Sequence, residues 1–248
     1  NTIGMIGLYS FLIFLISFYD TKNIKSKIII VIITGIYIHL IEPTDSRSSI
    51  WFAIVAVLFA LSILPRKIIT VTDKRYYFWL LIPLFIAIIV VNVSHSCYMN
   101  ELDLWSMEKF QKPIFNGRDE LWENGLSLLR EHFLFGRGTV EGNWHNCVIT
   151  ILTAYGCVGG IFWILSLQKI LSKGRYWIND IIVSGCIITF VIMYIQQSVE
   201  LGLVNENPNI LPYIVLGIML GRVKQLDEKE IENVEGEYEK DKYYSSDL

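Results

Sequence analysis

Three side chains of this 248-residue chain could do chemistry together: Arg47, Arg118 and His145. His145 stands in EGNWHNCVITIL, where a polar, glycine-spaced loop meets a long apolar run. Alone, an imidazole there serves as an interfacial anchor or bonds a loop carbonyl. Arg118 heads a stripe with Trp122, Gly125 and Leu129 in NGRDELWENGLSLLREHF, which places it on the apolar face of a helix. A buried charge without a partner is costly. Arg118 therefore calls for a loop acid such as Glu101 or Asp103, or for an anion brought by a substrate. Arg47, in PTDSRSSIWFAIV, sits among small hydroxyl residues at the start of an apolar run. It can snorkel at an interface or, with the helix N-terminus, bind an anion. A base and two guanidinium groups converging on one cavity suit attack by a hydroxyl on a carbon that bears a diphosphate leaving group.

The elements that must bring these residues together are membrane helices. The chain is 53% hydrophobic and only 18% charged, with a mean hydropathy of +0.45; soluble domains carry about 25% charge. Apolar runs cover roughly 2–19, 24–41, 49–65, 76–93, 146–168, 177–197 and 208–221. Spanning segments of this kind must be helices, because lipid satisfies no backbone polar group. The expected fold is all-α, a polytopic transmembrane bundle. Residues 1–224 form the membrane domain and 225–248 an acidic cytoplasmic tail, disordered or a short solvated helix. Lys and Arg concentrate in DTKNIKSK, PRKIITVTDKR and KILSKGR and are sparse in the alternate connections. The positive-inside rule then puts the tail inside and the long loop 94–145 outside, with Arg47, Arg118 and His145 on the outer side. The loop carries an amphipathic helix around residues 118–133, with Asn116 as its N-cap and Phe133 on its apolar face. Such a helix lies along the bilayer or caps a cavity in the bundle.

Other residues complete the expectations. Gly156 and Gly160 form a GxxxG that suits close helix packing. Cys97 and Cys147 flank the outer loop, so a disulfide between them is conceivable. No glycine-rich phosphate loop, Asp-x-Asp pair or His-Cys cluster with metal-ligand spacing is present, and neither metal nor cofactor is expected. No nucleic-acid partner is expected either. Glu200, Glu206 and Asn207, in the last outer loop, could contact sugar. Because the chain opens on Asn1 directly into an apolar run, it reads as a fragment with earlier spans preceding it.

The ordered set GRDELWENGLSLLREHFLFGRG…WHNCVITILTAYGCVGG, with TDSRSS upstream, resembles the O-antigen ligase and O-antigen or capsule polymerase family. The resemblance covers roughly residues 40–220. It implies a glycosyltransferase of the bacterial cytoplasmic membrane, active on its outer or periplasmic side, whose donor is a polyprenyl-diphosphate-linked oligosaccharide. Other polysaccharide-assembly membrane proteins are then expected partners. It carries over His145, Arg118 and Arg47 as catalytic. Trp122, Asn146, Arg137 and Glu200 are the candidate substrate contacts beside them. Arg137 departs from the pattern, where a small or apolar residue is usual; it is an extra substrate contact or a surface residue. Asn146 fixes the histidine tautomer or caps the following helix. Polymerase is the preferred activity. Ligation of finished glycan to lipid A core or protein is the alternative, and a flippase or a non-catalytic scaffold the reading from another class.

Overall fold

The computed structural model describes residues 2–19, 22–44, 46–65, 67–70, 73–140, 142, 144–200, 203–204 and 209–245. Most of these are helical, with no strand among the described residues. The elements are α1 (Thr2–Leu15), α2 (Ile24–Ile41), α3 (Arg47–Ala60), α4 (Lys67–Thr70), α5 (Asp73–Ser94), α6 (Cys97–Phe110), α7 (Arg118–Glu131), α8 (Cys147–Lys173), α9 (Ile181–Gln196) and α10 (Leu211–Ser245). Three stretches are long and apolar enough to cross a membrane: Ile24–Thr44, Lys74–Ser94 and Cys147–Lys173. Ile3–Phe18, Arg47–Ala60 and Ile181–Gln196 are apolar but shorter. α10 runs through the expected domain boundary and on to Ser245.

The distribution of polarity fits a lipid solvent. On α2, Ile28, Val31, Ile32, Ile36 and Leu40 are exposed, whereas Thr34 is buried and bonds back to the Ile30 carbonyl at 2.6 Å. An apolar patch of that extent on a water-facing helix would be an association site. The interior meanwhile holds Thr189, Gln196, Gln197 and Ser198, each bonded: Thr189 to Leu12 O at 3.3 Å, Gln196 Oε1 from the Tyr9 hydroxyl at 3.1 Å, Gln197 Oε1 from Leu203 N at 2.8 Å, and the Ser198 hydroxyl to Ile195 O at 2.6 Å. Where backbones approach closely, small residues allow it. A Cβ on Gly185 of α9 would lie 2.7 Å from the Ile16 carbonyl oxygen.

The amphipathic helix expected in the 94–145 loop forms as α7, with two differences from expectation; of its two expected placements it takes the one on the bundle. Its N-cap is Gly117, at φ +76°, not Asn116. Asn116 is itself left-handed, at φ +54°, which takes it out of the extended geometry in which an N-cap side chain reaches the first turn. The helix stops at Glu131, so Phe133 leaves the apolar face and is exposed. And α7 is packed into the bundle: Trp122 joins Trp144, Ile149 of α8 and Ala87 of α5 in one cluster, with Ile86, Val90 and Val91 against it. Gly125 makes that approach possible, since a Cβ there would lie 2.6 Å from Ile149 Cγ2 and 3.2 Å from Trp144 Cε3. Gly125→Leu should therefore lower stability by about 1–3 kcal/mol through overpacking, read as a fall in Tm of the detergent-solubilised protein.

α8 is broken at Gly156, where φ is +65° and ψ is −170°. The carbonyls and N–H groups freed there are taken up by the segment that follows α7. Arg137 N donates to Thr153 O (2.9 Å) and Gly138 N to Ala154 O (2.8 Å), while Cys157 N donates to Phe133 O (2.8 Å) and Val158 N to Leu134 O (3.1 Å). A Cβ on Gly156 would meet the Leu134 carbonyl oxygen at 2.2 Å; one on Gly136 would meet the Ala154 carbonyl carbon at 2.4 Å. The GxxxG expectation is corrected accordingly. Gly156 admits a strap of backbone, and a Cβ on Gly160 would meet only Leu152 of its own helix within 4 Å. All four cysteines are free, with Cys97 exposed and Cys147 buried, so the conceivable Cys97–Cys147 disulfide is not formed.

Candidate functional site

The site is assembled at three helix starts and one connecting loop. Arg47 is the first residue of α3 and Arg118 the first of α7. His145 comes two residues before α8, and Glu200 lies in the turn after α9. That turn is held from inside. Cys147 N donates to Gln197 O at 3.0 Å, and Gln197 Oε1 accepts from Leu203 N at 2.8 Å. A buried amide thus ties the two ends of the segment that carries Glu200.

Glu200 is the centre of the arrangement. It is 5% exposed. Its Oε1 lies 3.4 Å from Arg118 Nη2 and accepts from the Ser48 hydroxyl at 3.3 Å, and its Oε2 lies 3.9 Å from His145 Nδ1. The anionic partner that Arg118 required is therefore Glu200, not Glu101 or Asp103; Asp103 instead accepts from Ile114 N at 2.8 Å. Ser46, Arg47, Ser48, Trp51, Lys112, Asn116, Arg118 and Glu200 line a cavity of about 340 Å³, a size that suits a ligand. Three cationic side chains, Arg47, Lys112 and Arg118, line it with one carboxylate, Glu200. Arg118 Nε is buried with no hydrogen-bond partner.

His145 does not line the cavity. It meets it through Glu200. Its backbone is left-handed, at φ +47°, a strained conformation of order 1–3 kcal/mol for such a residue. Neighbours on both sides impose it. Trp122 Nε1 donates to Trp144 O at 2.7 Å. Asn146 accepts from Val148 N and Ile149 N, both at 3.1 Å, and donates to Pro83 O at 2.8 Å and Ser198 O at 3.3 Å. Burial, and secondarily the Arg118 charge, hold the His145 imidazole below its ordinary pKa, which favours the neutral form.

Comparison with protein-family models, curated proteins and solved structures returns no match to this chain. The fold brings Arg47, Arg118 and Glu200 to one cavity and His145 to its edge. Asn146 is the cap of α8, with both ends of its amide engaged in fold contacts. Trp122 is buried in the α5–α7–α8 cluster. Arg137 is exposed on the strap and does not line the cavity. Glu206 and Asn207 lie outside the described residues. Sequence reasoning missed Lys112, Asn116 and Trp51 as cavity walls, and it missed that Glu200 joins Arg118 to His145. The paired glutamines in QQSVE, polar residues inside an apolar run, were the available signal for a built turn there. Among the described residues no three of His, Cys, Asp and Glu gather closely enough to hold a metal ion.

Proposed function

We propose that this chain belongs to a membrane glycosyltransferase that polymerises lipid-linked oligosaccharide repeat units of a bacterial surface polysaccharide at the outer face of the cytoplasmic membrane. The observation that supports this reading is the cavity that Arg47, Lys112 and Arg118 line with one buried carboxylate, beside a histidine whose neutral form is favoured. Arginine bonds phosphate oxygens bidentately and stays charged, and both Arg47 and Arg118 line the cavity. In the reaction, an acceptor sugar oxygen attacks the anomeric carbon of the donor. The bond from that carbon to the diphosphate oxygen breaks, and the configuration inverts. The hydroxyl proton passes to His145, and the polyprenyl diphosphate leaves with its charge held by Arg118 and Arg47. Glu200 positions this machinery: it fixes Arg118 and faces the Nδ1 edge of His145.

Deleting the gene and sizing lipid-linked glycan tests the activity. Single repeat units left on lipid support polymerisation; long unattached chains would instead mean ligation to lipid A core or protein. Within the site, Arg118→Ala should cost on the order of 10²–10³ in kcat with a defined lipid-linked donor and weaken donor binding. Arg118→Lys keeps the charge but loses the planar fork, and should recover only part of that loss. Full activity in Arg118→Ala would remove Arg118 from the mechanism.

A further inference from the structure

We infer that the strap Phe133–Gly138 is a re-entrant segment inserted in the bilayer, with Phe133, Leu134 and Phe135 lying among lipid acyl chains. The inference does not depend on the glycosyltransferase reading; it needs only that α8 crosses the membrane. Its first support is depth. α8 is 27 residues long with its break at Gly156, so nine helical residues, Cys147–Tyr155, or about 13 Å of helix, separate its mouth from the break. Cys157 and Val158, which hold the strap, come directly after that break. With the mouth of α8 at the edge of a hydrocarbon core about 30 Å thick, the strap tip lies below the headgroups, within the hydrocarbon.

The second support is how the side chains and the backbone of the strap are divided. Phe133 is 56% exposed, Leu134 56% and Phe135 73%. Their surroundings on α8 are of the same kind, with Tyr155, Ile161 and Phe162 exposed. Irregular backbone facing lipid is tolerated only where its polar groups are satisfied by protein. Five of the strap's backbone groups are held in this way: Phe133 O, Leu134 O, Arg137 N and Gly138 N by the α8 break, and Gly136 N by His132 O at 2.9 Å. The break at Gly156 and the strap thus satisfy each other: each supplies what the other lacks in a solvent without hydrogen bonds. Arg137 follows at the level of Thr153, nearer the mouth of α8. From there its stem can run along apolar surface toward the headgroups.

The test is the solvent of the strap tip in the protein reconstituted into phosphatidylcholine nanodiscs. Cys97 and Cys157 are replaced by alanine, Phe135→Cys is introduced and spin-labelled, and collision with oxygen is compared with collision with an aqueous nickel chelate. Glu120→Cys, on the exposed side of α7, is the water reference. Oxygen collisions exceeding nickel collisions several-fold at position 135, with the reverse at position 120, is the expected result. Nickel access at 135 equal to that at 120 would overturn the proposal by putting the strap in water. A label shielded from both reagents would overturn it by showing that protein covers the tip. Phe133→Cys, labelled in the same way, repeats the measurement should the first variant not fold.

Discussion

If the proposed transfer is this protein's reaction, replacing His145 with alanine should lower kcat by roughly 10²–10⁴-fold, the usual contribution of a positioned base, and leave donor binding intact. The separation is expected because the arginines that would hold the diphosphate stand on other elements, α3 and α7. The pH profile carries a further signature. Burial and the Arg118 charge depress the His145 pKa, so the base form persists to lower pH than for a free imidazole. The acid limb of kcat/KM should lie below the ordinary histidine value of 6.5. Arg118→Gln removes one of the two causes and should move that limb upward, toward the free value, in whatever activity remains. The check is single-turnover transfer from a defined lipid-linked donor across pH. Because Glu200 and not His145 lines the cavity, Glu200→Gln belongs in the same series. Full turnover in His145→Ala together with loss in Glu200→Gln would transfer the role of base to the carboxylate.

Gly156→Ala is the substitution expected to damage the fold most. At φ +65° and ψ −170° the backbone is in a region essentially open only to glycine, at about 1–3 kcal/mol for any other residue. The new methyl would also stand 2.2 Å from the Leu134 carbonyl oxygen and 2.4 Å from Phe135 N. These are backbone atoms that cannot rotate away. The strap must lift, which strands the carbonyls of Thr153 and Ala154 and the N–H groups of Cys157 and Val158 at about 1–3 kcal/mol for each orphaned group. A loss of at least about 3 kcal/mol follows, read as a lowered Tm and as new proteolysis between Phe133 and Gly138. Gly217→Ala is the matched control. It is helical and exposed, with nothing within 4 Å of an added Cβ, and should gain up to about 1 kcal/mol from helix propensity. Equal stability of the two variants would refute the docking of the strap.

Hydropathy and spacing made the helices legible. Each of the seven apolar runs falls on a helix, because a long apolar run leaves the backbone little alternative to bonding itself. The stripe Arg118, Trp122, Gly125 and Leu129 was legible for the same reason: a period of 3.6 fixes which residues share a face. What spacing could not convey is which partner each face meets. Arg118 called for an acid, and two nearby loop acids fit the local sequence equally well. The acid it meets, Glu200, is 82 residues away and arrives only because Gln197 and Cys147 tie the α9 turn to the mouth of α8.

The glycines divide in the same way. Gly156 and Gly160 present a spacing that two close helices would also use, and nothing local distinguishes that from a break filled by another segment. By itself the sequence determined most of the elements and the chemical character of each: apolar helices, a long charged loop with an amphipathic helix, and a histidine at the head of an apolar run. Those properties follow from local backbone bonding and side-chain polarity. The tertiary structure alone decided that Arg47, Arg118 and Glu200 share one cavity, that Asn146 caps α8 and that Phe133–Phe135 face outward. Those outcomes depend on contacts between segments far apart in the chain, whose energies no local pattern encodes.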